Sequence, residues 1–145
     1  MSKLLVEELE ATTLSQSFTI LNRLALSAVR PLLYLHNDPT GTFTLTIKNG
    51  SETVTSASLT GAQIISNAGF TAGQYHYGFF KFDMSAILNI DTTYTLELSS
   101  SGYTFSEASY LGWIREHENN TNSIDGTITS SLSNPLSYQL WGYKG

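Results

Sequence analysis

The side chains with most to offer a ligand in this chain are rings. Eight Tyr, seven Phe and two Trp occur in 145 residues. Trp and Tyr combine a flat apolar face with a polar edge, so they stack on sugar rings while nearby amides and carboxylates bond the hydroxyls. Trp141 and Tyr143 fall on the same side of an alternating segment as Ser137 and Gln139. Tyr110 and Trp113 lie just before the Asn-rich stretch 118–127. Tyr110, Trp113, Trp141 and Tyr143 are therefore the candidate ligand-binding platform. Burial in the core or against another subunit is the competing use. It is favoured because Tyr75, Tyr77 and Tyr138 already call for a large ring-filled interior.

Acid–base chemistry finds less support. No nucleophile elbow, phosphate loop or metalloprotease pattern occurs, and His36, His76 and His117 lie in separate segments. Glycoside hydrolysis needs two carboxylates converging on a groove. Asp83, Asp91, Glu97 and Glu107 are the central acids. Asp83 and Asp91 read as strand-end turn residues, and Glu97 alternates outward between Leu96 and Leu98. No catalytic residue and no enzymatic activity are expected. Asn37, Asp38, Asp83, Asp91, Asn119, Asn120 and Asp125 carry the hard oxygens calcium takes, but their spacing resembles no calcium loop. No metal and no other cofactor is expected. Cysteine is absent, which removes disulfides and thiolate sites.

These side chains must be positioned by strands. In Gly41-Thr-Phe-Thr-Leu-Thr-Ile-Lys48, Phe43, Leu45 and Ile47 point one way and three Thr the other. That is a half-buried strand, and the Asn49-Gly50 that follows predicts a hairpin with both residues in a type I′ turn. Lys48 would then oppose Ser51, and Leu45 would oppose Val54. The alternation returns at Thr93 to Leu98, and Ser17 to Leu21 reads as the first core strand. Arg23 to His36 is apolar with a change of phase, which places a bulge or edge at Pro31. Asn37-Asp-Pro-Thr-Gly41 is a turn, and the segment 59–68 is a short helix or a strand. Gln74 to Met84 is apolar on both faces, with Tyr75, Tyr77 and Phe79 opposing Phe80, Phe82 and Met84. Tyr110 to His117 is a second two-sided strand, and Leu136 to Tyr143 closes the domain. Strand and turn signals at this spacing predict an all-β fold, an antiparallel β-sandwich of jelly-roll type with eight or nine strands. Residues 1–14 lack the alternation and are expected to form an N-terminal arm on a single sandwich domain, 15–145.

Composition narrows the partners. A net charge of −5 disfavours nucleic acid, which attracts basic surfaces. Charged residues are only 13%, with Ser, Thr and Asn in their place. No apolar run is long enough to cross a membrane, and the start is too acidic for a signal peptide. Synthesis in a cytoplasm is therefore expected, with the two sequons at Asn49 and Asn119 unmodified. The two-sided strands leave one ring row without a core to enter. Tyr75, Tyr77 and Phe79 are thus the candidate interface residues, and a homo-oligomer is the expected partner.

The run Ser17-Phe-Thr-Ile20, Leu24-Ala-Leu-Ser27 and Asp38 to Ile47 resembles the opening of small jelly-roll domains. So do Tyr77-Gly-Phe-Phe-Lys-Phe82 and Asp91-Thr-Thr-Tyr-Thr-Leu-Glu-Leu98. Such domains occur in tailed-phage virion proteins, as capsid decoration or cement proteins, head fibres and tail-fibre tips. Carbohydrate-binding modules share the architecture. The resemblance covers about residues 15–143 and carries no catalytic motif. It implies a structural virion protein that contacts itself, as a trimer by analogy, and other virion proteins. A carbohydrate-binding module or receptor-binding tip for a cell-surface glycan is the alternative.

Overall fold

The computed structural model describes residues 5–10, 13–20, 22–67, 75–115, 128–129 and 138–144. Along the chain these form β1 (Leu5–Glu8), β2 (Leu14–Ile20), β3 (Leu24–His36), β4 (Thr42–Asn49), β5 (Glu52–Thr60), α1 (Gly61–Asn67), β6 (Tyr75–Phe79), β7 (Phe82–Leu88), β8 (Tyr94–Ser101), β9 (Tyr110–Arg115), β10 (Ile128–Thr129) and β11 (Tyr138–Lys144). All pairings are antiparallel. One sheet is ordered β1-β9-β3 with β6, β7 and β11 also on β3; the other is β10-β2-β8-β4-β5. With β6 and β7 taken as one interrupted strand, the orders 1-9-3-6/7 and 2-8-4-5 are those of a jelly roll, extended by β10 and β11.

Alternation decides what enters the core. Phe43, Leu45 and Ile47 of β4, and Tyr94, Leu96 and Leu98 of β8, are buried from one sheet. Leu24, Leu26, Val29, Leu33 and Leu35 of β3, with Phe80, Phe82, Met84 and Leu88, are buried from the other. Phe18 bridges the layers, its ring centroid 5.6 Å from Tyr94 and 5.7 Å from Tyr138.

β3 is continuous through Pro31, so the bulge expected there lies elsewhere, between Leu26 and Ala28. Proline is tolerated because the neighbours on both sides of β3 change around it. β6 ends opposite Leu32 and β7 begins opposite Val29; β9 ends opposite Leu33 and β11 begins opposite Pro31. The Pro31 carbonyl accepts a hydrogen bond from the Phe80 amide at 3.1 Å, in the gap that splits the expected 74–84 strand.

The hairpin forms one residue later than expected. Asn49 pairs with Glu52 and Lys48 with Thr53, leaving Gly50-Ser51 as the loop. Gly50 has φ 64°, whereas Asn49 and Ser51 stay outside the left-handed region. A glycine at the first central position alone marks a type II′ turn, not I′. A bulge beyond Ile47 then restores the inward phase, so Leu45 opposes Ala57.

The segment 61–67 is helical. Thr60 Oγ1 accepts from the Gln63 amide at 3.1 Å, and Gln63 Oε1 accepts from the Thr60 amide at 2.9 Å. This reciprocal capping box explains why the helix starts where β5 ends. In the expected arm, Leu5–Glu8 pairs with β9 and Leu9 is 1% exposed in the core. Tyr103 ties this segment down: its hydroxyl donates to the Leu9 carbonyl at 2.7 Å and accepts from the Leu111 amide at 3.1 Å. Residues 1–4 and 11–12, the 118–127 loop, His117 and Leu136 lie outside the described residues.

Two outcomes follow. Gly50→Val forces a β-branched residue into a left-handed conformation and is expected to lower stability by about 1–3 kcal/mol in urea unfolding. Tyr138 is buried, its hydroxyl has no hydrogen-bond partner among the described residues, and burial raises its pKa well above the ordinary 10.0. Above pH 10.0 the unfolded chain therefore ionises this phenol while the folded chain does not, so its contribution to stability falls as pH rises. Tyr138→Phe should leave stability near pH 7 unchanged or higher and reduce the loss on the alkaline side.

Candidate binding face

The outer faces of the two sheets differ in chemistry. On the β2-β8-β4-β5 sheet the residues alternating with the core are Ser15, Ser17 and Thr19, Thr42, Thr44 and Thr46, Thr95 and Ser99, with Ser56 and Ser58 on β5. The charges there include a Lys48–Glu97 pair at 3.2 Å. Short hydroxylated side chains give this face little to dock on.

The outer face of the other sheet carries rings. Residues directly opposed across strands point the same way, so the register orders them. Along β3 the outward row is Ala28, Arg30, Leu32, Tyr34 and His36, because Val29, Leu33 and Leu35 enter the core. On β6, Phe79 lies opposite Leu32 and Tyr77 opposite Tyr34. Tyr77 is 61% exposed and Phe79 36%. Tyr75 pairs through its backbone with His36, and its side chain lies outside the described residues. On β9, Tyr110 lies opposite His36. The His36 ring stacks on Tyr110 with centroids 5.1 Å apart, and Tyr110 also meets Tyr34 at 5.9 Å and Phe105 at 5.4 Å.

Farther along β3, Trp141 lies opposite Ala28 and Tyr143 opposite Ala25. The Arg30 guanidinium sits 4.3 Å from the centre of the Trp141 ring, a cation–π contact. Trp141 Nε1 donates to Gln139 Oε1 at 3.0 Å, which orients both side chains. Tyr143 is 73% exposed.

The four platform rings are thus divided. Trp113 is fully buried opposite Leu33 and is not a stacking surface. Tyr110 belongs to the ring cluster at the His36 end of β3, while Trp141 and Tyr143 lie near its start. Of the expected interface row, Tyr77 and Phe79 are outward, so Tyr77 does not fill the interior; Phe80, Phe82 and Met84 line the core. Tyr34 and Arg30 complete the face and were missed, because each is a single polar-edged residue inside an apolar run.

Among the described residues Asp83, Asp91 and Glu97 lie apart. Asp83 pairs with Lys81 at 3.4 Å on β7, Glu97 pairs with Lys48 on the other sheet, and Asp91 is a left-handed turn residue with φ 59°. Among the described residues no three His, Asp or Glu are placed to hold a metal ion. A groove of about 750 Å³ opens between the 38–42 turn and α1, and Asp38 supplies the one carboxylate among the described residues that line it. No helix among the described residues is long and apolar enough to cross a membrane.

Core and face are separable by substitution. Trp113→Ala is expected to cost about 3–5 kcal/mol by leaving a cavity. Tyr143→Ala, at an exposed position, should change stability by less than about 0.5 kcal/mol. Paired denaturant titrations measure both.

No protein-family model matches this chain, and a search of curated proteins finds no relative.

Proposed function

We propose that this chain is a structural, non-enzymatic protein that assembles through the ring-bearing outer face of its β3 sheet. The observation that carries the reading is the contrast between the two outer faces, one of Ser and Thr, the other of Tyr77, Phe79, Tyr34, Tyr110 and Trp141. Of these, Tyr77 and Phe79 are the exposed rings, and covering an exposed ring is worth on the order of 1.5–3 kcal/mol, so they favour a partner. The simplest partner is a second copy, since sparse charge does little to hold copies apart. The jelly-roll strand order, the low charge and the resemblance described above support a tailed-phage virion component, either a capsid decoration or cement protein or a fibre. A trimer is the expected copy number by analogy with threefold axes in such particles.

The test is solution mass by light scattering, read with circular dichroism. The wild-type chain should be a multimer, and Tyr77→Asp should shift it toward monomer with an unchanged β-signal. A wild-type chain that remains monomeric at high micromolar concentration overturns the reading.

A second reading rests on Trp141, Tyr143 and Gln139. The exposed Tyr143 and the outward, half-buried Trp141, which orients the Gln139 amide, offer ring and amide for stacking on a cell-surface glycan. Binding on a glycan array that is lost in Trp141→Ala would favour it.

A further inference from the structure

The middle of the ring-bearing face holds a cation without a counter-charge. Arg30 lies in the outward row of β3, opposite Gln139 of β11. On its other flank Lys81 precedes Phe82, the partner of Val29. Arg30 and Lys81 both line a cavity of about 360 Å³, together with Asn67, Phe79 and Phe80. Arg30 Nε is shielded from solvent without a hydrogen-bond acceptor, and no carboxylate among the described residues pairs with the guanidinium. Its charge meets the Trp141 ring instead, 4.3 Å away.

The groups gathered here donate. A guanidinium carries five N–H donors and an ammonium three, and neither accepts. Gln139 Oε1 is taken by Trp141 Nε1 at 3.0 Å, which leaves the amide its two N–H donors. The carboxylate alongside is Asp83, 3.4 Å from Lys81; both side chains are exposed, so water screens that pair and a ligand can displace it. A guanidinium laid over a ring keeps its edge for the planar, two-point bond that Arg makes to an oxyanion.

We propose that Arg30, Gln139 and Lys81 form an oxyanion site whose ligand is the carboxylate or sulfate of an acidic saccharide, a narrowing that rests on the glycan reading above. The donors select the charge, and a neutral sugar would leave the guanidinium as unpaired as it is in the free chain. The rings select the sugar: Tyr143, two residues from Trp141 and opposite the outward Ala25, is exposed on the same face.

The test is a glycan array on which each sialylated or sulfated glycan stands beside the neutral glycan lacking only that group. The full wild-type chain should bind the acidic members about tenfold more strongly than their neutral counterparts, the discrimination expected of a charge-assisted hydrogen bond. Arg30→Gln should abolish the preference and Lys81→Gln reduce it. Circular dichroism checks the fold, and if Arg30→Gln misfolds, Lys81→Gln at its exposed position decides. A preference confined to sialylated glycans identifies a carboxylate, and one confined to sulfated glycans a sulfate. Equal binding of acidic and neutral members, or a preference that survives both substitutions, overturns the oxyanion site and leaves the glycan reading standing. Binding to no glycan overturns both. A solution mass that falls on Arg30→Gln places a carboxylate of a second copy on the guanidinium and overturns the saccharide.

Discussion

Everything in the larger sheet is hung on β3. Thirteen residues, Leu24 to His36, hold β7 and β6 along one edge and β11 and β9 along the other. Its inward row forms the floor of the core, and its outward row sets the order of the exposed rings. A residue added to or lost from β3 would turn one row into the other, because side chains alternate strictly. The natural bulge at Ser27 is such a step, and it keeps Leu24 and Leu26 inward along with Val29, Leu33 and Leu35.

The core is shared across layers by a small number of large contacts. Phe18 touches Tyr94 in its own sheet and Tyr138 in the facing one. Tyr103 meets Phe43 edge-on at 5.0 Å while its hydroxyl joins Leu9 and Leu111. One phenol thus secures the first strand, the last jelly-roll strand and the opposite sheet. Burial raises the Tyr103 pKa, with smaller additions from Glu8 and Glu10, against a lowering by the hydrogen bond from the Leu111 amide.

Local pattern made most of the sandwich legible. The 41–48 and 93–98 strands and the 37–41 turn announce themselves within ten residues, and Asn37 and Asp38 do take left-handed dihedrals, φ 51° and 53°. What stayed hidden depends on partners far along the chain. Pro31 resembles a strand breaker until four neighbouring strands are seen to start and stop around it. Leu5–Glu8 resembles an arm because its alternation is weak, yet its partner is β9, over a hundred residues later. The hairpin register was obscured by a bulge three residues past the turn. Trp113 and Trp141 are equally aromatic in sequence, and only strand register separates the buried ring from the outward one.

The change of neighbours at Pro31 divides the larger sheet into two fabrics sewn to one thread. β11 and β7 grip the first half of β3; β6 and β9 grip the second. The pairing of β11 with β3 runs from Leu24 to Pro31, and beyond Pro31 the neighbours of β3 are other strands. Loss of β11 would bare one edge of the first half of β3 while breaking none of the pairings of β6 and β9 with the second half.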